Sequence, residues 1–321
     1  MGKLKNSKLV VVGVGHVGSQ VLTDALALNL FAEIAVIDAD KEKAEGEALD
    51  GNHATFTYNA NTRLYTADYD TCKDADVIIV AAGPSVKRDA KHTERATLVT
   101  KNVSVIREVM TGISKNTKDA VIIFITNPLD SVVYLAQNFF DYPEERIFGT
   151  GTCLDSARLR RIVANHYHVD PKSVHGYMLG EHGSTAFPAW SLLNIEGIAA
   201  GQLDDYFESA GKLDKDAIAD HVLKTAFDVL HKKGWTNSGV AMAACTLAKA
   251  VMLDERGIYP VSSTLHGEYG LKNAALSLPS VVGRQGIVRR LPVPLDESEL
   301  SKLRASYDSI RGTMEAGGLT D

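Results

Sequence analysis

The sequence predicts a doubly wound parallel α/β sheet followed by an α+β domain. Three observations carry that expectation. A short apolar run at residues 9–12 breaks into Gly13-x-Gly15-x-x-Gly18 and passes at once into a helical pattern. Short apolar runs then alternate with helical patterns as far as residue 150, the order that builds a parallel sheet. Beyond it the pattern changes to short strands broken by glycines, a long helical region and a hairpin. The expected division is 1–149 and 150–321.

Taken in order, the apolar run at 34–37 gives a second strand ending in Asp38, and 41–54 has helical spacing and charge. Residues 63–67 read as a short strand. The continuous apolar run 76–82 suits a strand buried on both faces and stops at Gly83-Pro84. Residues 83–92 are polar and charged and start with a breaker pair, which reads as a loop, and a long helix follows over 93–115. A strand at 120–126 ends in Asn127-Pro128, a helix covers 129–140, and 146–151 is the last short strand of this half. The second half opens with a helix at 152–168. Strands with glycine turns follow over 173–200, then a mainly helical stretch at 214–253 broken at Lys233-Gly234. A hairpin at 276–291 and a helix at 297–310 close it.

The glycine turn is where the sequence speaks most directly of chemistry. Gly13 lets the chain turn sharply out of the strand, Gly15 lets backbone N–H groups approach a pyrophosphate, and Gly18 lets the helix pack close to the strand. The helix N-terminus adds unpaired N–H donors and partial positive charge. Asp38, some 20 residues after the last glycine, can accept from a ribose hydroxyl and would repel a 2′-phosphate, which favours NAD over NADP. Three glycines alone could be only a tight turn. The strand before them, the helix after them and the acid at this distance make the dinucleotide-binding (Rossmann) reading the better one.

Composition narrows the classes. At 321 residues the length suggests about two domains, and 45% hydrophobic with 23% charged residues is ordinary for a globular chain. A net charge of −6 gives no basic footprint for nucleic acid. Cys72, Cys153 and Cys245 lie far apart without metal-ligand spacing, so no metal site and no disulfide is expected. The first strand follows MGKLKNSK with no room for a signal peptide, a myristoylation motif is lacking, and no apolar run reaches membrane-spanning length. A cytoplasmic protein in a reducing compartment, without membrane partners, is the expectation.

Ligands of open α/β sheets sit at the carboxyl ends of the strands, which directs attention to Asp38, the 83–95 loop, Asn127 and residues 150–155. Gly180-Glu181-His182-Gly183 adds a histidine between glycines, although by itself it is one of ten. Together the segments DADKEKAEGEALD, ADYDTCKDADV, TERATLVTKN, TNPLD, GTGTCLDSARLR, SVHGYMLGEHG and KKGWT resemble the NAD-dependent L-lactate and malate dehydrogenase family, in family order, from residue 8 to about 240. The resemblance implies that His182 exchanges the proton of a 2-oxo or 2-hydroxy acid. Asp155 would hold its other ring nitrogen, Arg158 would bind the substrate carboxylate, and Arg95 would descend with a mobile loop to polarise the carbonyl. It further implies Asn127 near the substrate oxygen and nicotinamide ribose, and Thr236 in the side-chain pocket. The cofactor would be held by Gly13, Gly15, Val17, Gly18, Asp38, Lys43, Tyr69, Gly83, Asn127 and Thr150. A homotetramer or homodimer goes with the family.

The chain departs from that pattern in its loop. The segment between Gly83 and Arg95 is about three residues longer than in typical lactate dehydrogenases. It lacks their glutamine and carries Ser85, Val86, Lys87, Arg88 and Asp89. Arg88 keeps malate open as a substrate, whereas KKGWT and GEHGSTAFPAWS look closer to lactate and L-2-hydroxyisocaproate dehydrogenases. The expected activity is therefore an NAD-dependent L-2-hydroxy-acid dehydrogenase of the L-lactate type, with longer 2-oxo acids or oxaloacetate as alternatives. Arg160 and His175 match positions that bind fructose 1,6-bisphosphate in bacterial relatives. The rival from another class is a protein that binds NAD as a sensor without turnover.

Overall fold

The computed structural model describes residues 6–58, 60–84, 92–209 and 211–319, with backbone alone over 92–99. The first half runs β1 (Lys8–Val12), α1 (His16–Leu28), β2 (Glu33–Ile37), α2 (Lys41–Ala54), β3 (Arg63–Thr66), β4 (Val77–Val80), α3 (His92–Asn116), β5 (Val121–Phe124), α4 (Leu129–Asn138) and β6 (Ile147–Gly149). Its six parallel strands lie in the order β3-β2-β1-β4-β5-β6, the dinucleotide-binding arrangement. A short 3-10 turn at Tyr69–Asp74, which the sequence did not suggest, leads into β4.

The apolar runs are short because each need cross the sheet only once, and they are apolar throughout because both faces are covered. Val10, Ile78, Ile122 and Phe124 pack with Ile106, Met110 and Ile113 of α3 and Val132 of α4 on one side. Val11, Ile79 and Ile123 pack on the other side with Leu22 and Ala25 of α1. The second half completes that face through Ala244, Leu247 and Ala248.

That half contains α5 (Cys153–His166), β7 (Val174–His175), β8 (Met178–Leu179), β9 (Phe187–Pro188), β10 (Asn194–Ile195), β11 (Ile198–Ala199), α6 (Leu203–Tyr206), α7 (Lys215–Lys233) and α8 (Ser238–Met252). It ends with β12 (Gly257–His266), β13 (Lys272–Gly283), β14 (Gly286–Arg290) and α9 (Glu297–Ala316). The helical stretch breaks where Lys233-Gly234 predicts, and the last helix runs six residues past the expected 310. The hairpin expected at 276–291 is the end of something larger. β12, unforeseen in the sequence, pairs antiparallel with β13 along most of its length, and β14 follows. Through Ser262↔Gly149 this antiparallel ribbon joins β6, so one nine-stranded sheet, β14-β13-β12-β6-β5-β4-β1-β2-β3, runs across residue 150. Among the described residues no helix is long and apolar enough to cross a membrane.

Candidate active site

The turn after β1 has the shape its glycines require. Gly13 has φ +89°, and a Cβ there would stand 2.6 Å from the Ala82 backbone at the end of β4. A Cβ on Gly18 would overlap the Gly13 carbonyl oxygen, so the close approach of α1 to the turn depends on its absence. Gly15 is different: a Cβ there would meet nothing within 4 Å. That open side, beside the uncapped first turn of α1, is the room a pyrophosphate needs. Asp38 is held at the end of β2 by the N–H of Val14 on Oδ2 (2.7 Å) and of Asp40 on Oδ1 (2.9 Å), which fixes its carboxylate while leaving lone pairs for a ribose.

Gly83 and Asn127 follow β4 and β5 and are linked through Asn102, whose Nδ2 donates to the Asn127 carbonyl at 2.6 Å and the Pro84 carbonyl at 3.2 Å. The Asn102 Oδ1 is buried with no hydrogen-bond partner among the described residues and would lie 2.5 Å from a Cβ on Gly83. Thr150 is buried at the end of β6. Val17 is half-buried on α1, and Lys43 is exposed on α2, its own N–H capped by Asp40. Tyr69 lies flat against α3 at Gly112, where its ring fills the space of a Cβ. Arg95 belongs to α3, but its side chain, like residues 85–91, lies outside the described residues.

Two of the expected groups converge on a third, the Asp155 carboxylate. α5 starts directly after β6, and its first turns present Asp155 and Arg158 on one face. Asp155 Oδ2 lies 2.8 Å from His182 Nδ1, and its Oδ1 accepts from Arg158 Nη1 at 2.8 Å. His182 reaches this point from the loop after β8. Gly180, at φ +89°, turns that loop away from β13, with which it exchanges two backbone hydrogen bonds at Ser277. The last helix closes over it: Ser309 Oγ donates to Glu181 Oε2 at 3.1 Å, Ser306 Oγ donates to the Thr185 carbonyl at 2.8 Å, and Thr185 itself bonds Glu181.

Sequence reasoning missed a second buried carboxylate. Asp130 of α4 accepts the backbone N–H of His182 at 2.8 Å and the Ser262 hydroxyl of β12 at 2.5 Å. One side chain thus ties the first half, the histidine loop and the antiparallel ribbon together. The signal available was an acid at the second position of a helix with no other charged residue, LDSVVYLAQN.

The charges shape one another. Burial alone would lower the imidazole pKa of His182. The Asp155 carboxylate and its hydrogen bond, with Asp130 behind, outweigh that and hold it above the ordinary value, although Arg158 opposes them. Burial would raise Asp155, but His182 and Arg158 bring it below the usual carboxylate range. Burial pushes Asp130 up to about 6, against its two hydrogen bonds and the charge of His182, while the Glu181 carboxylate adds to the rise.

Thr236 sits half-buried in the connector between α7 and α8. Arg160 Nε donates to the Gly176 carbonyl at 3.0 Å, and His175, the residue before Gly176, faces Glu196 at 4.0 Å. Among the described residues no group of three or more His, Cys, Asp or Glu side chains could hold a metal ion.

Comparison with known proteins covers both halves of the chain. Residues 7–149 match the model of the lactate/malate dehydrogenase NAD binding domain, and residues 152–318 match that of the alpha/beta C-terminal domain. The chain is 47% identical to L-lactate dehydrogenase 2 of Clostridium acetobutylicum over 98% of each. It is 44% identical to L-lactate dehydrogenase of Selenomonas ruminantium over 97% of this chain and 98% of that one. Among solved structures, a lactate dehydrogenase from a Medee basin deep-sea metagenome superposes with TM-score 0.92 at 30% identity, covering 98% of this chain and all of that one. The minor L-lactate dehydrogenase of Enterococcus mundtii gives 0.89 at 30% identity, covering 96% and 98%. A glycine turn with room for a dinucleotide, an imidazole and a guanidinium on one buried carboxylate, and these matches over both halves make the chain a member of the lactate/malate dehydrogenase family, enzymes that use NAD.

Proposed function

We propose that the protein is an L-lactate dehydrogenase, which reduces pyruvate to L-lactate with NADH and a proton and runs the reverse reaction with NAD. The observation that carries this reading is the shared carboxylate. Asp155 holds His182 by Nδ1 and Arg158 by Nη1, so the proton donor and the cation for the substrate carboxylate are fixed relative to one another before substrate arrives. With Nδ1 engaged, Nε2 is the nitrogen left to hand a proton to the substrate oxygen, or to take it back. Residues 1–149 bind the dinucleotide, which when bound supplies or accepts the hydride. Its phosphates would face Gly13, Gly15, Val17 and Gly18 and its adenosine ribose Asp38, with Lys43, Tyr69, Gly83, Asn127 and Thr150 lining the rest.

Residues 150–321 supply the acid chemistry. Arg158 grips the carboxylate in a two-pronged contact and Thr236 bounds the side chain, while from the first half Arg95 polarises the carbonyl and Asn127 lies by the substrate oxygen. Asp130 and Ser262 hold the His182 backbone in place. The relatives' names favour pyruvate. Arg88 in the loop leaves oxaloacetate, and the loop's length leaves 2-oxo-4-methylpentanoate, as the competing substrates.

The test is NADH consumption with the three 2-oxo acids. Pyruvate is expected to give the highest kcat/KM, and a strong preference for oxaloacetate would overturn the assignment. NAD binding without turnover of any of them, unchanged by His182→Ala, would make the protein a sensor instead. The same reading gives a cytoplasmic homotetramer or homodimer, to be checked by sedimentation. It also gives activation by fructose 1,6-bisphosphate at Arg160 and His175. Glu196 beside His175 opposes an anion there, and a pyruvate titration that the sugar bisphosphate leaves unmoved removes this part.

A further inference from the structure

Beside the glycine turn, two side chains without a part in the proposed reaction meet face to face. His16 is the first residue of α1, and its ring lies on that of Trp235 with centroids 4.1 Å apart and planes 5° from parallel. One helical turn further, Gln20 Oε1 accepts from Asn237 Nδ2 at 3.2 Å, while Asn237 Oδ1 accepts from Lys233 Nζ at 2.6 Å. Trp235 and Asn237 flank Thr236 on either side. The short connector between α7 and α8 is therefore fastened to α1 both before and after that residue.

The connector's other hydrogen bonds among the described residues are local to the two helices: the Gly234 N–H donates to the Leu230 carbonyl, the Ala241 N–H to the Asn237 carbonyl, and Ser238 Oγ to Asn237 Oδ1 at 3.4 Å. The connector has no regular structure of its own, and Asn237, at the N-cap position of α8, makes no side-chain cap there because its side chain is turned to α1 and Lys233. Such a segment takes its position from what it leans on. Beyond it the support continues to the catalytic helix: a Cβ on Gly239 would stand 2.7 Å from Leu154, the neighbour of Asp155. The end of α1 that carries both anchors is the end whose N–H groups face the open side of the glycine turn.

We infer that His16 and Gln20 are positioning residues that register Thr236 from the cofactor turn, so that the substrate pocket is completed by the helix that receives the dinucleotide. The inference rests on the dehydrogenase reading and on Thr236 bounding the substrate. Dinucleotide phosphates at the first turn of α1 order His16, the stack transmits that order to Trp235, and the pocket wall is set for the 2-oxo acid.

The chain has two tryptophans, so Trp190→Phe leaves Trp235 as the only indole emitter. In that background, NAD is expected to change the Trp235 emission, and His16→Ala to abolish the change. In the otherwise native protein, losing the stack raises the KM for pyruvate about two- to tenfold while kcat and NADH affinity stay unchanged. His16→Phe, which keeps a flat ring on Trp235, restores the KM. Gln20→Leu, at the second fastening, moves it in the same direction. Two results overturn the proposal: a pyruvate KM unmoved by His16→Ala and Gln20→Leu, or a loss of NADH affinity in His16→Ala that His16→Phe does not repair, since the imidazole then serves the phosphates directly. If the native protein turns over no 2-oxo acid, the dehydrogenase reading fails by itself, and the Trp235 titration still decides whether α1 and the connector are coupled.

Discussion

His182 does little without the carboxylate beside it, and that dependence has a measurable sign. Reduction needs the imidazolium, which Asp155 keeps protonated to higher pH than a free histidine. In Asp155→Asn the decline of kcat/KM for pyruvate with rising pH should start at lower pH, and turnover near neutrality should fall by about 10²-fold or more. His182→Ala should lower kcat by about 10²–10⁴-fold with NADH still bound, as NADH fluorescence would report. Stability follows the same charges. The raised imidazole contributes stability that is complete below its ordinary pKa and is lost as pH rises through its folded value. The depressed Asp155 contributes stability present above the ordinary carboxylate value and lost as pH falls through its own. Asp130 acts with the opposite sign to Asp155: with a folded pKa of about 6, it costs stability as pH rises from about 4 to 6. Asp130→Asn removes that titration, so its stability relative to the native protein should gain about 3 kcal/mol across the window, read from denaturant midpoints at the two ends. His182, Asp155 and Arg158 were legible because each lies in a distinctive short segment. Asp130 and Ser262 were not, since a buried acid and a buried hydroxyl follow no periodicity and declare themselves only when the chain is folded.

The glycine turn separates folding from binding within six residues. Gly18→Ala drives a methyl into the Gly13 carbonyl and should cost roughly 3 kcal/mol or more in thermal unfolding. Gly15→Ala points its methyl into open space, so the unfolding free energy should stay within about 1 kcal/mol of the native value while NADH titrations weaken about tenfold or more. This element, and the parallel strands with it, could be read from the sequence because short runs rich in β-branched residues, such as VIIV and VIIF, bounded by turn residues, suit strands buried on both faces. β12 escaped for the converse reason. Its buried centre carries Pro260, Ser262, Ser263 and Thr264, residues that read as a turn, and β13 begins Lys-Asn-Ala-Ala with weak strand preference.

At the scale of the molecule, the change of pattern near residue 150 is real in the sequence, yet the sheet passes straight through it. Equilibrium unfolding should accordingly be a single transition by both far-ultraviolet and tryptophan signals. A fragment of residues 1–149 should bind a hydrophobic dye, since β6 becomes an edge and the faces of β5 and α4 lose their cover. Two separated transitions would refute the shared core. The seating of α9 on the histidine loop through Ser306 and Ser309 reaches into how the protein is made. During synthesis the reactive loop is braced only after residues 297–316 have left the ribosome, so no shorter nascent chain holds His182 through α9.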